Sequence, residues 1–126
     1  MNADYVRTLL LYIDGHLEYK SSGRARPIHL KRCLDDSVLE DIPRGEILIA
    51  AQYLVERKLV TVAVENVAPR AYVFTGISAE GRDFIAAIND DTFWHKLAKL
   101  FGNVFSQSAQ TVIDAVVGFG LKKLGL

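Results

Sequence analysis

Three histidines, His16, His29 and His95, and one cysteine, Cys33, are the side chains of this sequence best able to ligate a metal or relay a proton. Their spacing does not suit either task. No HxxxH or HExxH pair sets two imidazoles on one helical face, and one thiol excludes both a thiolate-rich zinc site and an internal disulfide framework. The sequence therefore predicts no metal and no cofactor. Asp91 and His95 stand one helical turn apart, which predicts a helix-stabilising pair worth on the order of a few tenths of a kcal/mol.

Nucleophilic chemistry has no better footing. Cys33 follows Lys31 and Arg32, whose charges would lower a thiol pKa, but it precedes Asp35 and Asp36, which oppose the shift. No GxSxG elbow, GxGxxG fingerprint or GxxxxGK phosphate loop occurs. The carboxylate pairs Asp35-Asp36 and Asp90-Asp91 are adjacent rather than spaced across a cleft, as solvated caps are. The expectation is a protein that is not an enzyme and has no catalytic residues.

Composition narrows the field further. The chain has 126 residues, half of them hydrophobic and 24% charged, enough apolar surface for one domain with its own core and too little charge for a disordered polyelectrolyte. Fifteen basic residues balance fifteen acidic ones, which argues against non-specific nucleic-acid binding driven by phosphate neutralisation. Met1 to Asp14 shows no basic n-region and no small-residue cleavage site. No apolar stretch approaches the roughly 20 residues that span a bilayer. A soluble cytoplasmic protein with no membrane span is expected.

The elements follow from periodicity. Tyr5, Val6, Leu9, Leu10, Tyr12, Ile13 and Leu17 recur at helical spacing. Glu18 to Pro27 reads as a loop, Ile28 to Leu30 as a short strand and Asp35 to Asp41 as a short helix. Pro43 to Lys58 is a second helix with a stripe at Ile47, Ala50, Ala51 and Leu54. Leu59 to Glu65 and Arg70 to Ile77 alternate around β-branched and aromatic residues and predict an antiparallel hairpin. Ser78 is a suitable N-cap for a helix carrying Phe84, Ile85 and Ile88. The run Asn89-Asp90-Asp91-Thr92 then predicts a kink or two abutting helices. This order predicts an α+β, mainly α fold: a winged helix-turn-helix with a β-hairpin wing over residues 1–101 and a C-terminal helical extension, the tail, over residues 102–126.

One stretch also carries a family likeness. Ile77-Ser78-Ala79-Glu80-Gly81-Arg82-Asp83-Phe84-Ile85, followed by Ile88 to Trp94, resembles the signature of an uncharacterised family of short phage and bacterial proteins, the domain of unknown function numbered twenty-five thirteen. Tyr53 to Val60 is similar to that family's helix-to-wing junction, where a glycine is more usual than Lys58. The closing Leu121-Lys122-Lys123-Leu124-Gly125-Leu126 is similar to its tails. The likeness covers Ile77 to Leu97 most closely and is absent from Lys20 to Arg32. It implies a winged-helix fold and a phage or prophage setting in the cytoplasm of a bacterial host, and it implies no catalytic residues.

A winged helix suggests DNA, but the second helix is poorly suited to read a groove. Its outward face would show Gly45, Ile49, Gln52 and Glu56, one amide and one acid with no cation, where a recognition helix presents polar and basic side chains. The acidic run Asp35 to Asp41 just before it would repel phosphates. Ile49, flanked by Leu48, Tyr53 and Val55, suits a protein contact instead, and the apolar tail needs a cover that a two-fold dimer would supply. Ile49, Tyr53, Trp94, Val112, Ile113, Val116 and Val117 are expected at interface or core-to-interface positions. The function expected is a protein-interaction module with an unidentified protein partner and a homodimer, in the setting of counter-defence or host takeover. The alternative is a DNA-binding transcriptional regulator that contacts nucleic acid through Lys20, Arg24, Arg26, Lys31, Arg32 and Arg70.

Overall fold

The computed structural model describes residues 3–100. The first helix, α1 (Ala3–His16), buries Val6, Leu9, Leu10, Tyr12 and Ile13 along one side, the face its periodicity predicts. A tight turn follows, held by Lys20 N–H to the Arg24 carbonyl at 2.8 Å and by Arg26 N–H to the Glu18 carbonyl at 2.6 Å. Gly23 supplies the left-handed φ of +83° that this turn needs.

The next segment differs from expectation. The strand β1 is only Ile28–His29, and Leu30 opens a helix, α2 (Leu30–Asp35), in place of continuing the strand. Leu30 and Cys33 are buried and Leu34 half-buried, an i, i+3, i+4 pattern that outweighs the extended reading. Nor is there a helix across Asp35 to Asp41. Asp36 accepts a hydrogen bond from the Val38 N–H at 2.9 Å and caps a single 3-10 turn, Ser37–Leu39.

Pro43 stands at the N-cap of α3 (Arg44–Glu56), which buries Ile47, Ala50, Ala51, Tyr53 and Leu54. This helix ends at Glu56, two residues before the predicted boundary, and Lys58 turns the chain with a φ of +56°. The chain then forms the strand β2 (Val60–Val62), a 3-10 turn at Pro69–Ala71 and the strand β3 (Val73–Ile77). The three strands form an antiparallel sheet in the order β1-β3-β2. Val60 pairs with Ile77, Thr61 with Gly76 and Val62 with Phe74, so β3 carries one extra residue, Thr75, as a bulge.

Ser78 caps α4 (Ala79–Ile88), its Oγ accepting from the Gly81 N–H at 2.9 Å. The break at Asn89-Asp90 separates α4 from α5 (Asp91–Leu100), where Asp90 Oδ1 accepts from the N–H groups of Thr92 and Phe93. Two helices therefore abut, as the four capping-type residues predict. One core cluster joins these elements, with Phe74, Phe84, Leu9, Leu10, Ile13 and Leu54 at its centre. The fold is thus mixed α+β and mainly helical, with a small antiparallel sheet. No described helix is long and apolar enough to cross a membrane. The tail 102–126 lies outside the described residues, and with it the expected contacts at Val112, Ile113, Val116 and Val117.

Candidate functional site

The outward side of α3 is the surface on which the two functional expectations divide. Burying Ile47, Ala50, Ala51 and Leu54 against α1 and the sheet turns Gly45, Ile49, Gln52 and Glu56 to solvent, since positions three and four apart share a helical face. Ile49 is 45% exposed. Gln52 Nε2 donates to Glu56 Oε1 at 3.0 Å, so the one amide on this ridge is held by the one carboxylate. Arg44, at the start of the helix, faces back toward α2: its guanidinium donates to the Leu34 carbonyl at 3.0 Å and lies 3.6 Å from the Asp35 carboxylate. The ridge is therefore apolar and weakly acidic.

A shallow groove adjoins the C-terminal half of this ridge. One part, of about 350 Å³, is lined by Val55, Lys58, Val60, Thr61, Val62, Glu65 and Ser78. A second part lies between Gln52, Glu56, Glu65 and Val67. Glu56 and Glu65 bring acid to it and Lys58 brings a cation. Val64, beyond the end of β2, is 57% exposed, and Val38 in the turn before α3 is 72% exposed.

The other predicted interface residues lie elsewhere. Tyr53 is only 8% exposed and belongs to the core. Trp94 is 3% exposed: its indole N–H donates to Asp4 Oδ1 at 3.1 Å and the Arg7 guanidinium lies over its ring at 5.4 Å. Both side chains are packed into the core. Ile49 is the residue of that set that meets solvent among the described residues.

The alternative DNA-contact residues are all exposed but do not share one element. Lys20, Arg24 and Arg26 sit on the turn after α1, where Arg26 lies 3.7 Å from Glu18. Lys31 and Arg32 are on α2, and Arg70 is in the 3-10 turn packed against it, through the Leu30 N–H bond to the Tyr72 carbonyl at 3.0 Å. None lies on α3.

Several titratable side chains take part in packing and ties between elements. Cys33 is fully buried and desolvation pushes its thiol up to about 11, outweighing the opposing pull of Arg32; the balance of neighbouring charges weighed from sequence is decided by burial. Tyr12, Asp36 and His16 form a tie between α1 and the turn after α2. The Tyr12 hydroxyl donates to Asp36 Oδ2 at 2.6 Å, and His16 stacks on the Tyr12 ring with centroids 3.9 Å apart. Asp91 is paired with Arg7, while His95 Nδ1 bonds the Asp91 backbone carbonyl at 2.6 Å, so the expected Asp91–His95 side-chain pair is replaced by a backbone contact. Among the described residues no three His, Cys, Asp or Glu side chains converge in a metal-binding group.

Sequence reasoning missed Val38 and Val64 as solvent-facing residues. Val64 had a signal, as the last member of the alternation Val60, Val62, Val64 in a strand that closes after Val62. No family model, curated protein or solved structure matches the chain.

Proposed function

We propose that this chain is a winged-helix protein that serves as a protein-interaction module through the outward face of α3, and that it neither catalyses a reaction nor reads DNA. The element order α1-β1-α2-α3-β2-β3 and the sheet order β1-β3-β2 support the winged-helix assignment, with α3 in the recognition-helix position and residues 63–72 as the wing. One observation carries the functional reading. The α3 ridge presents Gly45, Ile49 and a Gln52 amide bonded to Glu56. A helix seated in the major groove needs donors and positive charge facing the bases and phosphates. Here a carboxylate would face the phosphates and a branched alkyl group the base edges. A protein surface accommodates both.

The phage or prophage setting, with counter-defence or host takeover as its purpose, rests on the resemblance over Ile77 to Leu97. The competing regulator would use Lys31 and Arg32 with Arg70, on elements that pack together. Fluorescence anisotropy with a labelled duplex separates the two. The interaction-module reading expects no binding at low salt. Binding that weakens with salt and loses about one unit of salt slope for each of Lys31→Ala, Arg32→Ala and Arg70→Ala would replace it with the regulator.

A further inference from the structure

We propose that the groove between the end of α3 and the wing receives an arginine side chain of a partner protein. Glu56, Glu65 and the Tyr72 hydroxyl hold its guanidinium, and Val55, Val62 and Val67 support its stem and aliphatic neighbours. This names the partner chemistry of the α3 face and rests on the protein-interaction reading of that face.

Charge is the first argument. The two parts of the groove share Val55, Lys58 and Glu65 and so run together. Two carboxylates, Glu56 and Glu65, line it against the one ammonium of Lys58. Glu56 Oε1 accepts from Gln52 Nε2 at 3.0 Å, which leaves Oε2 for another donor. Glu65 is exposed, and among the described residues neither carboxylate is ion-paired with Lys58 or any other cation. A groove with this balance attracts a basic segment and repels an acidic one.

The second argument is a hydroxyl without a partner. Tyr72 is 5% exposed, its ring centroid lies 6.3 Å from that of Phe74, and it borders the groove with Glu56, Asn66 and Val67. Burial, and then the charge of Glu56, raises its hydroxyl above the ordinary tyrosine value, so the group is neutral and within the field of that carboxylate. No hydrogen bond to this hydroxyl forms among the described residues. A nearly buried polar atom left open at a groove gains from a ligand that supplies the missing bond.

These acceptors call for arginine. A guanidinium presents a planar fork of N–H donors that addresses several acceptors at once, where an ammonium is a point charge. The carboxylates take its charge and the Tyr72 oxygen takes a further N–H. The half-buried Val55, Val62 and Val67, packed on the core, offer the apolar floor along which an arginine stem lies. The part beside Glu56 measures about 370 Å³, within the range of ligand clefts.

NMR titration of the full chain with the peptide acetyl-Val-Ala-Arg-Ala-Val-amide tests this, against the same peptide with citrulline, which keeps the shape and loses the charge. Saturating shifts are expected at the amides of Glu56, Glu65, Asn66 and Val67 with the arginine peptide, and much weaker ones with citrulline. Glu56→Gln combined with Glu65→Gln should raise the dissociation constant about tenfold, and Tyr72→Phe about threefold, with the circular dichroism spectrum unchanged. Equal binding of the two peptides, or binding indifferent to these variants, overturns the proposal. Groove shifts without peptide in Lys122→Gln combined with Lys123→Gln would assign the groove to the chain's own tail, and shifts on dilution to a second copy; either overturns it. Absence of any peptide-induced shift also overturns it, whereas the α3 reading fails separately, on binding of a DNA duplex.

Discussion

The Tyr12 hydroxyl donates to the Asp36 carboxylate at 2.6 Å, fastening α1 to the turn between α2 and α3 across 24 residues of chain. Burial, and then this bond, pushes the Tyr12 hydroxyl up to about 12. The same bond, with the Val38 N–H, holds the Asp36 carboxyl below the usual carboxylate range. For Tyr12 the fold holds the proton more tightly than the unfolded chain does, so its stabilisation is complete below about pH 10 and is lost as pH rises toward about 12. For Asp36 the sign reverses: its stabilisation is present above the ordinary carboxylate range and is lost as pH falls through the depressed value. Thermal melts across pH should show both limbs. Tyr12→Phe should lower the melting temperature near neutrality and flatten the alkaline limb.

Gly81 lies in the first turn of α4 where a Cβ would overlap the Leu59 carbonyl oxygen and stand 2.7 Å from Ile77 Cγ2. That carbonyl accepts from Ser78 N–H and cannot move without loosening the cap of α4. Gly81→Ala should therefore destabilise by about 2 kcal/mol, at the scale of overpacking, despite alanine's better helix propensity. Denaturant unfolding measures this, and an increase in stability would refute the close approach.

Cys33 is inert for the same reason that it is buried. With its thiol pushed up to about 11, little thiolate exists at neutral pH and no reagent reaches it. A chromogenic disulfide should titrate no thiol in the native protein at pH 8 and one thiol after unfolding.

Trp94 joins α5 to α1 through Asp4 and Arg7. Trp94→Ala should cost about 3–5 kcal/mol, and Trp94→Phe less, since it keeps one aromatic ring in the site while losing the fused ring's volume and the N–H to Asp4. Calorimetric melting of the two variants gives the comparison.

Much of this fold is legible in the sequence because its signals are local. Helical spacing reveals α1 and the two sides of α3, Ser78 marks the start of α4, and the capping residues at 89–92 mark its break from α5. The misread segment is Ile28 to Asp41, where two short elements compete. The three apolar positions of α2 sit among Lys31, Arg32 and Asp35, and Asp36 serves as a cap to a single turn. The burial of Trp94 and Tyr53 is not legible locally, for another reason. A large ring with a polar atom suits an interface or a core equally well, and the partner that decides for Trp94, Asp4, lies 90 residues away. Ile49 was legible from period alone, because its exposure follows from the burial of Ile47, Ala50, Ala51 and Leu54.

The amides of α3, followed by NMR while a short DNA duplex is added at low salt, test the central claim most directly. If the α3 face serves protein and not DNA, as proposed, the signals of Gly45, Ile49, Gln52 and Glu56 should not move. Salt-dependent shifts concentrated on those four residues would mean that α3 lies in a DNA groove, contrary to the charge and shape of its outward side.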